Sequence, residues 1–368
     1  MIKYSSLPSF WFGYNQIMEF EVKSLSLGAN HGILLDKNGQ IYTWGDNLEG
    51  QRGDGDKINE REAMVQILKS YRFLEIAAGS HFSLLLDNSG KVWSFGRNVS
   101  GQLGRQGQDF SNPPSAIPAL KDIVRISTGA AFGLALDKKG FLYGWGQNED
   151  GEISPDLGDM GLRIFDPILI KGISNIVEIK SGRRFNLALN AKGEVYCWGW
   201  KVYGSSVVDT IGRTLGPQQV ILPERIVSIA AGGYHSLALG ESGKVYGWGW
   251  NFYFQLGNQS AQRGKLSKNV VFYPSELKGM KNITAIAAGE SFSLFLDNQG
   301  RVFSIGRTGL KSLYNIESSD KKPSILRCPS KKSDNKWLSV VFNGNSIVPD
   351  ITKLELLIKG FFGQKISL

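Results

Sequence analysis

Acid–base, nucleophilic or metal chemistry needs imidazoles, thiols or carboxylates gathered at one point, and the 368-residue chain has few of the first two. It has three histidines, His31, His81 and His235, and two cysteines, Cys197 and Cys328. No Ser-His-Asp arrangement, His-Glu-x-x-His run or phosphate-cradling glycine loop is present. His31 and His235 stand where Phe82, Phe132, Phe185 and Phe292 stand in similar stretches. A position shared by His and Phe reads as packing. Asp36, Asp87, Asp137 and Asp297 each precede a glycine by three residues and read as turn residues bonding their own backbone. We expect no metal, no cofactor and no catalytic residue.

What positions these residues is a repeat. Ile76 to Asn98, IAAGSHFSLLLDNSGKVWSFGRN, recurs along the chain, anchored on Gly28, Gly79, Gly129, Gly182, Gly232 and Gly289. A second glycine follows each anchor in fixed register (Gly39, Gly90, Gly140, Gly193, Gly243, Gly300), and then a third (Gly45, Gly96, Gly146, Gly199, Gly249, Gly306). Between them lie two β-rich runs, such as Phe82 to Leu86 and Lys91 to Phe95, joined by a turn whose glycine admits positive φ. Before the third glycine stand Trp44, Phe95, Trp145, Trp198, Trp248 and Ile305, a ladder of large apolar residues suited to packing sheet on sheet.

A period near 50 built from strands alone predicts an all-β chain, a seven-bladed β-propeller of four-stranded blades. One domain spans 1–368, with repeats at 21–70, 71–120, 121–173, 174–223, 224–280 and 281–330. A degenerate seventh blade combines 331–368 with 8–20, pairing the N-terminal strand around Phe10 to Asn15 with C-terminal strands. Such closure removes the exposed sheet edges of an open ring.

The charge balance, 42 Lys and Arg against 33 Asp and Glu, favours an acidic partner surface. Lys321, Lys322, Arg327, Lys331, Lys332 and Lys336 lack interleaved aromatics, so no specific nucleic-acid binding is expected. No window holds the roughly 20 apolar residues of a transmembrane helix. The start, with Lys3, Asn15 and Glu19, lacks the order of a signal peptide. Few cysteines fit a reducing compartment. A cytoplasmic monomer is expected.

Ala231 to Leu239, Gly243 to Asn251 and Gly101 to Gly104 together resemble the repeat of the regulator of chromosome condensation family. The founding member exchanges guanine nucleotide on the small GTPase Ran, and similar repeats occur in bacterial effectors acting on host GTPases. The resemblance implies a small-GTPase-binding propeller, an exchange factor or activator in the Ran pathway, working in the cytoplasm or, for an effector, the host-cell cytosol. It also implies a wedge protruding from the third repeat, here Asn148, Glu149, Asp150, Gly151 and Glu152, acidic enough to compete near phosphates and magnesium. The anchor-glycine turns would supply the contacts Asn30, Ser80, Arg183, Arg184, Tyr234 and Glu290. Two positions that carry acids in the family's exchange factors hold Ala130 and Arg184 here, which alters the electrostatics of that face. The rival expectation is a scaffold without exchange activity that binds another protein, or an adaptor on an anionic membrane through a basic rim.

Overall fold

The computed structural model describes residues 22–56, 60–154, 163–200, 216–257, 269–307 and 324–326, and every regular element among them is a β-strand. The strands form six four-stranded antiparallel sheets, each built from consecutive strands. Sheet 2 is typical, with Phe73–Ala78, Phe82–Asp87, Val92–Arg97 and Phe110–Ala116. The first strands of sheets 1 to 6 are Val22–Leu27, Phe73–Ala78, Ile123–Thr128, Ile176–Ser181, Ile226–Ala231 and Ile283–Ala288. They lie side by side in chain order and form an inner wall. The segments expected to close a ring, 8–20 and 331–368, fall outside the described residues.

The second strand is fully buried in sheets 1 to 5 and buried but for Leu296 in sheet 6, and it pairs with the third through the tight turn read from the sequence. Asp87 accepts the N–H groups of Ser89 at 2.8 Å and Lys91 at 3.0 Å, while Gly90 sits at φ +80°. Asp137 and Asp297 repeat the geometry, and Asn190 reproduces it with Lys192 and Glu194. Sheet 5 has Gly240 at this position, and Glu224 supplies the missing carboxylate by accepting from the Ser242 N–H at 2.8 Å.

Two sets of backbone bonds lock neighbouring sheets, one at each end of the strands. At one end the residue after each anchor glycine donates to the next sheet: Ala29 to Ser80, Ser80 to Ala130, Ala130 to Arg183 and Arg183 to Gly233, at 3.0 to 3.1 Å. Gly233 continues to Gly289 at 3.2 Å. At the other end donation runs backwards, from Phe73 to Gly39, Ile123 to Gly90, Ile226 to Gly193 and Ile283 to Gly243. We call these ends the anchor face and the hairpin face.

Between them sits the apolar ladder. Phe95, Trp145, Trp198 and Trp248 are wholly buried, and the Trp145 and Trp198 indoles donate to carbonyls of Gln102 and Glu152 in the preceding sheets. Trp44 of sheet 1 is half-buried.

The anchor glycines permit this packing because the ring three residues later folds over each one. A Cβ on Gly129 would lie 2.0 Å from the Phe132 ring, whereas one on Gly172, at φ +87°, would meet open space. Gly129→Ala is expected to cost about 3 kcal/mol and Gly172→Ala about 1 kcal/mol, measured as loss of thermal stability.

Candidate functional site

The anchor face gathers the charged and aromatic residues expected to make contacts. Arg183 reaches across sheet 5, placing its Nε 2.8 Å from Glu290 Oε1 of sheet 6. On the way its guanidinium passes 5.7 Å from the centre of the Tyr234 ring. Gly233 makes room for this span, since a Cβ there would stand 2.6 Å from the Glu290 carboxylate. Burial raises the pKa of Glu290, opposed by Arg183.

A second cluster bridges sheets 3 and 4. Arg184 donates from Nη2 to Glu149 at 2.7 Å, holds Asp150 from Nε at 2.6 Å, and lies 5.4 Å from the centre of the Trp200 ring. Sheets 1 and 2 carry a smaller version, in which Glu49 pairs with Arg97 at 3.0 Å and approaches His81 at 3.4 Å. Asn30 and Ser80 sit in turns of the same face, where their carbonyls accept from Asp46 and Ala29. The structure thus brings Arg183, Tyr234 and Glu290 together, and Arg184 with Glu149 and Asp150. Asn30 and Ser80 are apart from both clusters.

The Asn148–Glu152 loop has the bond pattern of an ordinary connector. Asn148 accepts from Ile153 and Ser154, just as Asn98 accepts from Leu103 and Asn251 from Leu256. Asn148, Asp150 and Glu152 are buried, leaving Glu149 as the exposed acid. Glu152 occupies the place of Gln51, Gln102 and Gln255, and its Oε2 accepts from the Asp150 N–H as those glutamines accept from Glu49, Ser100 and Tyr253. Burial, with the nearby Asp150 charge, lifts its pKa from 4.5 to about 8, against the pull of backbone N–H groups and Arg184.

The histidines at the packing position behave as polar phenylalanines. Ser83 gives its hydroxyl proton to the Gln51 carbonyl, so His31 Nε2, 2.9 Å away, is the donor between them. His235 repeats this with Ser293 and Gln255. Burial drops both imidazoles to about 3, with the His81 charge adding to the effect at His31. Among the described residues no group of histidine, cysteine or acid side chains could hold a metal ion.

The RCC1-like domain model matches residues 50–345, and the regulator of chromosome condensation (RCC1) repeat matches residues 22–51. The chain belongs to the RCC1-like domain family. It is similar to protein pim1 of Schizosaccharomyces pombe, 28% identical over 49% of this chain and 37% of that protein. It is also similar to human RCC1 domain-containing protein 1, 30% identical over 50% of this chain and 46% of that protein. These matches span less than half of either relative. Among solved structures, Prp20p of Saccharomyces cerevisiae, studied for its binding to Gsp1p and histones, superposes with a TM-score of 0.72 at 23% identity, covering 84% of this chain and 77% of that one. Human WBSCR16 gives 0.71 at 21% identity, covering 86% and 85%. The sequential four-stranded sheets therefore match an RCC1 propeller.

On this RCC1-like scaffold the sequence reading passed over an aromatic connector. Asn251 to Gly257 departs from the pattern of Asn98 to Gly104 by placing Phe254 where Gly101 stands. Phe254 takes the left-handed φ of +58°, matching Gly50, Gly101 and Gly151 at +75° to +81°. A bulky residue there is strained, and such strain concentrates at functional sites. Beside it Phe252 is 51% exposed and stacks on Trp250, and Arg307 lies 5.3 Å from the centre of the Tyr253 ring. Phenylalanine in a glycine register was the available signal.

Two outcomes follow for this RCC1-like chain. Glu152 binds its proton more tightly folded than unfolded, so its own contribution to stability is full below about pH 4.5 and declines as pH rises toward 8. Glu152→Gln should therefore match the parent near pH 5 and exceed it in thermal midpoint by pH 8. Phe254→Gly should relieve the strained backbone and stabilise the fold by about 1 kcal/mol in denaturant unfolding.

Proposed function

We propose that the anchor face binds a small GTPase of the Ran class and that the protein accelerates release of its guanine nucleotide. The observation that carries this reading is the pair of arginine clusters, Arg183 with Tyr234 and Glu290, and Arg184 with Glu149 and Asp150, set on one face beside the Phe252 and Tyr253 aromatics. Arginine, tyrosine and exposed aromatics are the residue types that dominate binding energy at protein interfaces.

No covalent step is required. Release is faster when a face binds the nucleotide-free GTPase better than the loaded one. Arg184 stands where the family's exchange factors carry an acid, but Glu149 and Asp150 beside it return negative charge to that junction. In this reading Asn148 and Gly151 shape the loop, Asp150 and Glu152 back Arg184, and Glu149 meets the partner. Asn30 and Ser80 extend the contact along the same face.

The reading includes one seven-bladed propeller over 1–368, with 331–368 and 8–20 closing the ring against the half-covered Trp44. It takes the protein to be a monomer acting in the cytoplasm, or in a host-cell cytosol. A second reading, a scaffold without exchange activity, is favoured by one observation. The Asn148–Glu152 loop shares the bonding of its counterparts, so nothing in its backbone sets it apart as a wedge.

Fluorescent-nucleotide release from Ran and a panel of other small GTPases decides between them. Acceleration on one GTPase, reduced about tenfold or more by Glu149→Lys and most strongly at low salt, supports exchange. Binding without acceleration supports the scaffold. Absence of both binding and acceleration with every GTPase contradicts the proposal.

A further inference from the structure

The hairpin face has an electrostatic character of its own. Each of the six sheets or the links leading into them presents an exposed lysine there: Lys37, Lys91, Lys139, Lys192, Lys244 and Lys281. Most of its acids are turned away from solvent. Asp36, Asp87, Asp137 and Asp297 are buried, spending their carboxylates on turn N–H groups, and Glu224 is held by Ser242 and Tyr246. The exposed acids Asp122, Glu241 and Glu276 each stand beside a cation, at 2.8, 3.9 and 3.4 Å. Lys91, Lys139, Lys192 and Lys281 make no ion pair among the described residues. The regular turn thus hides negative charge and displays positive charge, sheet after sheet.

Apolar side chains share this face. Leu74, Val124, Val177 and Val227 occupy one repeated position, second in the inner strands of sheets 2 to 5, and are 39 to 50% exposed. They stand directly after the residues, such as Phe73 and Ile123, whose N–H groups lock the hairpin face. Phe141 adds a ring, 44% exposed, in the turn of sheet 3.

We propose that the hairpin face docks on an anionic lipid bilayer, with the lysines over the headgroups and the repeated apolar residues at the interface. Charge complementarity selects an anionic surface, and its chemistry favours lipid over nucleic acid. The cations are mainly lysines, point charges spread over a broad face, rather than arginines able to grip phosphates or bases bidentately. The exposed apolar residues are chiefly aliphatic, suited to an acyl boundary and unable to stack on bases. Clustered lysines near an anionic leaflet add binding step by step. This docking leaves the anchor face turned toward solvent.

The test is sedimentation of the full chain with vesicles of phosphatidylcholine alone, or with about 30 mol % phosphatidylserine as the anionic lipid. The expected result is binding to the anionic vesicles only, weakened by salt and reduced roughly 100-fold by Lys91→Glu, Lys139→Glu and Lys192→Glu together. Leu74→Ser with Val177→Ser should weaken binding further at fixed charge, and circular dichroism checks that each variant is folded. Equal binding to both vesicle types, or binding unchanged by the lysine reversals, overturns the proposal. So does failure to bind anionic vesicles while a nucleic-acid duplex is retained, which would assign the face to nucleic acid.

Discussion

One backbone hydrogen bond, repeated at every junction between the six described sheets, sets the geometry on which the rest depends. In sheets 1 to 5 the residue after the anchor glycine donates to the corresponding turn of the following sheet, so neighbouring sheets cannot slide along the inner wall. That bond requires the turn to lie flat against the sheet, with a histidine or phenylalanine ring folded over a position that has no side chain. The counter-directed bonds at the hairpin face fix the opposite end. Clamped at both ends, the sheets bring the anchor turns into one continuous surface, and this is how Arg183 of sheet 4 can reach Glu290 of sheet 6 over the bare backbone of Gly233.

The same framework divides charge between the two faces. At the hairpin face carboxylates are consumed inside turns and lysines are left outside. At the anchor face arginines and acids are paired with one another among aromatic rings. His31, His235 and Cys197 are all held neutral by burial.

Much of this was legible in the sequence because the repeated features are short-range. A glycine three residues after an aspartate defines a tight turn wherever it occurs, and the Asp36, Asp87, Asp137 and Asp297 turns form as read. The tryptophan ladder and the packing role of His31 and His235 follow from comparing repeats. What escaped depends on contacts between repeats. That Glu224 stands in for the missing turn acid at Gly240, that Glu152 is a buried stand-in for glutamine, and that Gly233 opens a path for Arg183 are all relations between residues distant in the chain. The aromatic connector at Phe252 to Phe254 lay between these cases, since its departure from the glycine register was visible but its strained backbone was not.

The central claim is that the anchor face is the partner-binding surface. Amide hydrogen exchange of the full chain, with and without saturating nucleotide-free Ran, tests it most directly. The account predicts new protection at the Arg183–Arg184 turn, around Tyr234 and Glu290 and along the Phe252 connector, with the hairpin turns at Gly90, Gly140 and Gly193 unchanged. Protection confined to those hairpin turns, with the anchor turns unaffected, would contradict it.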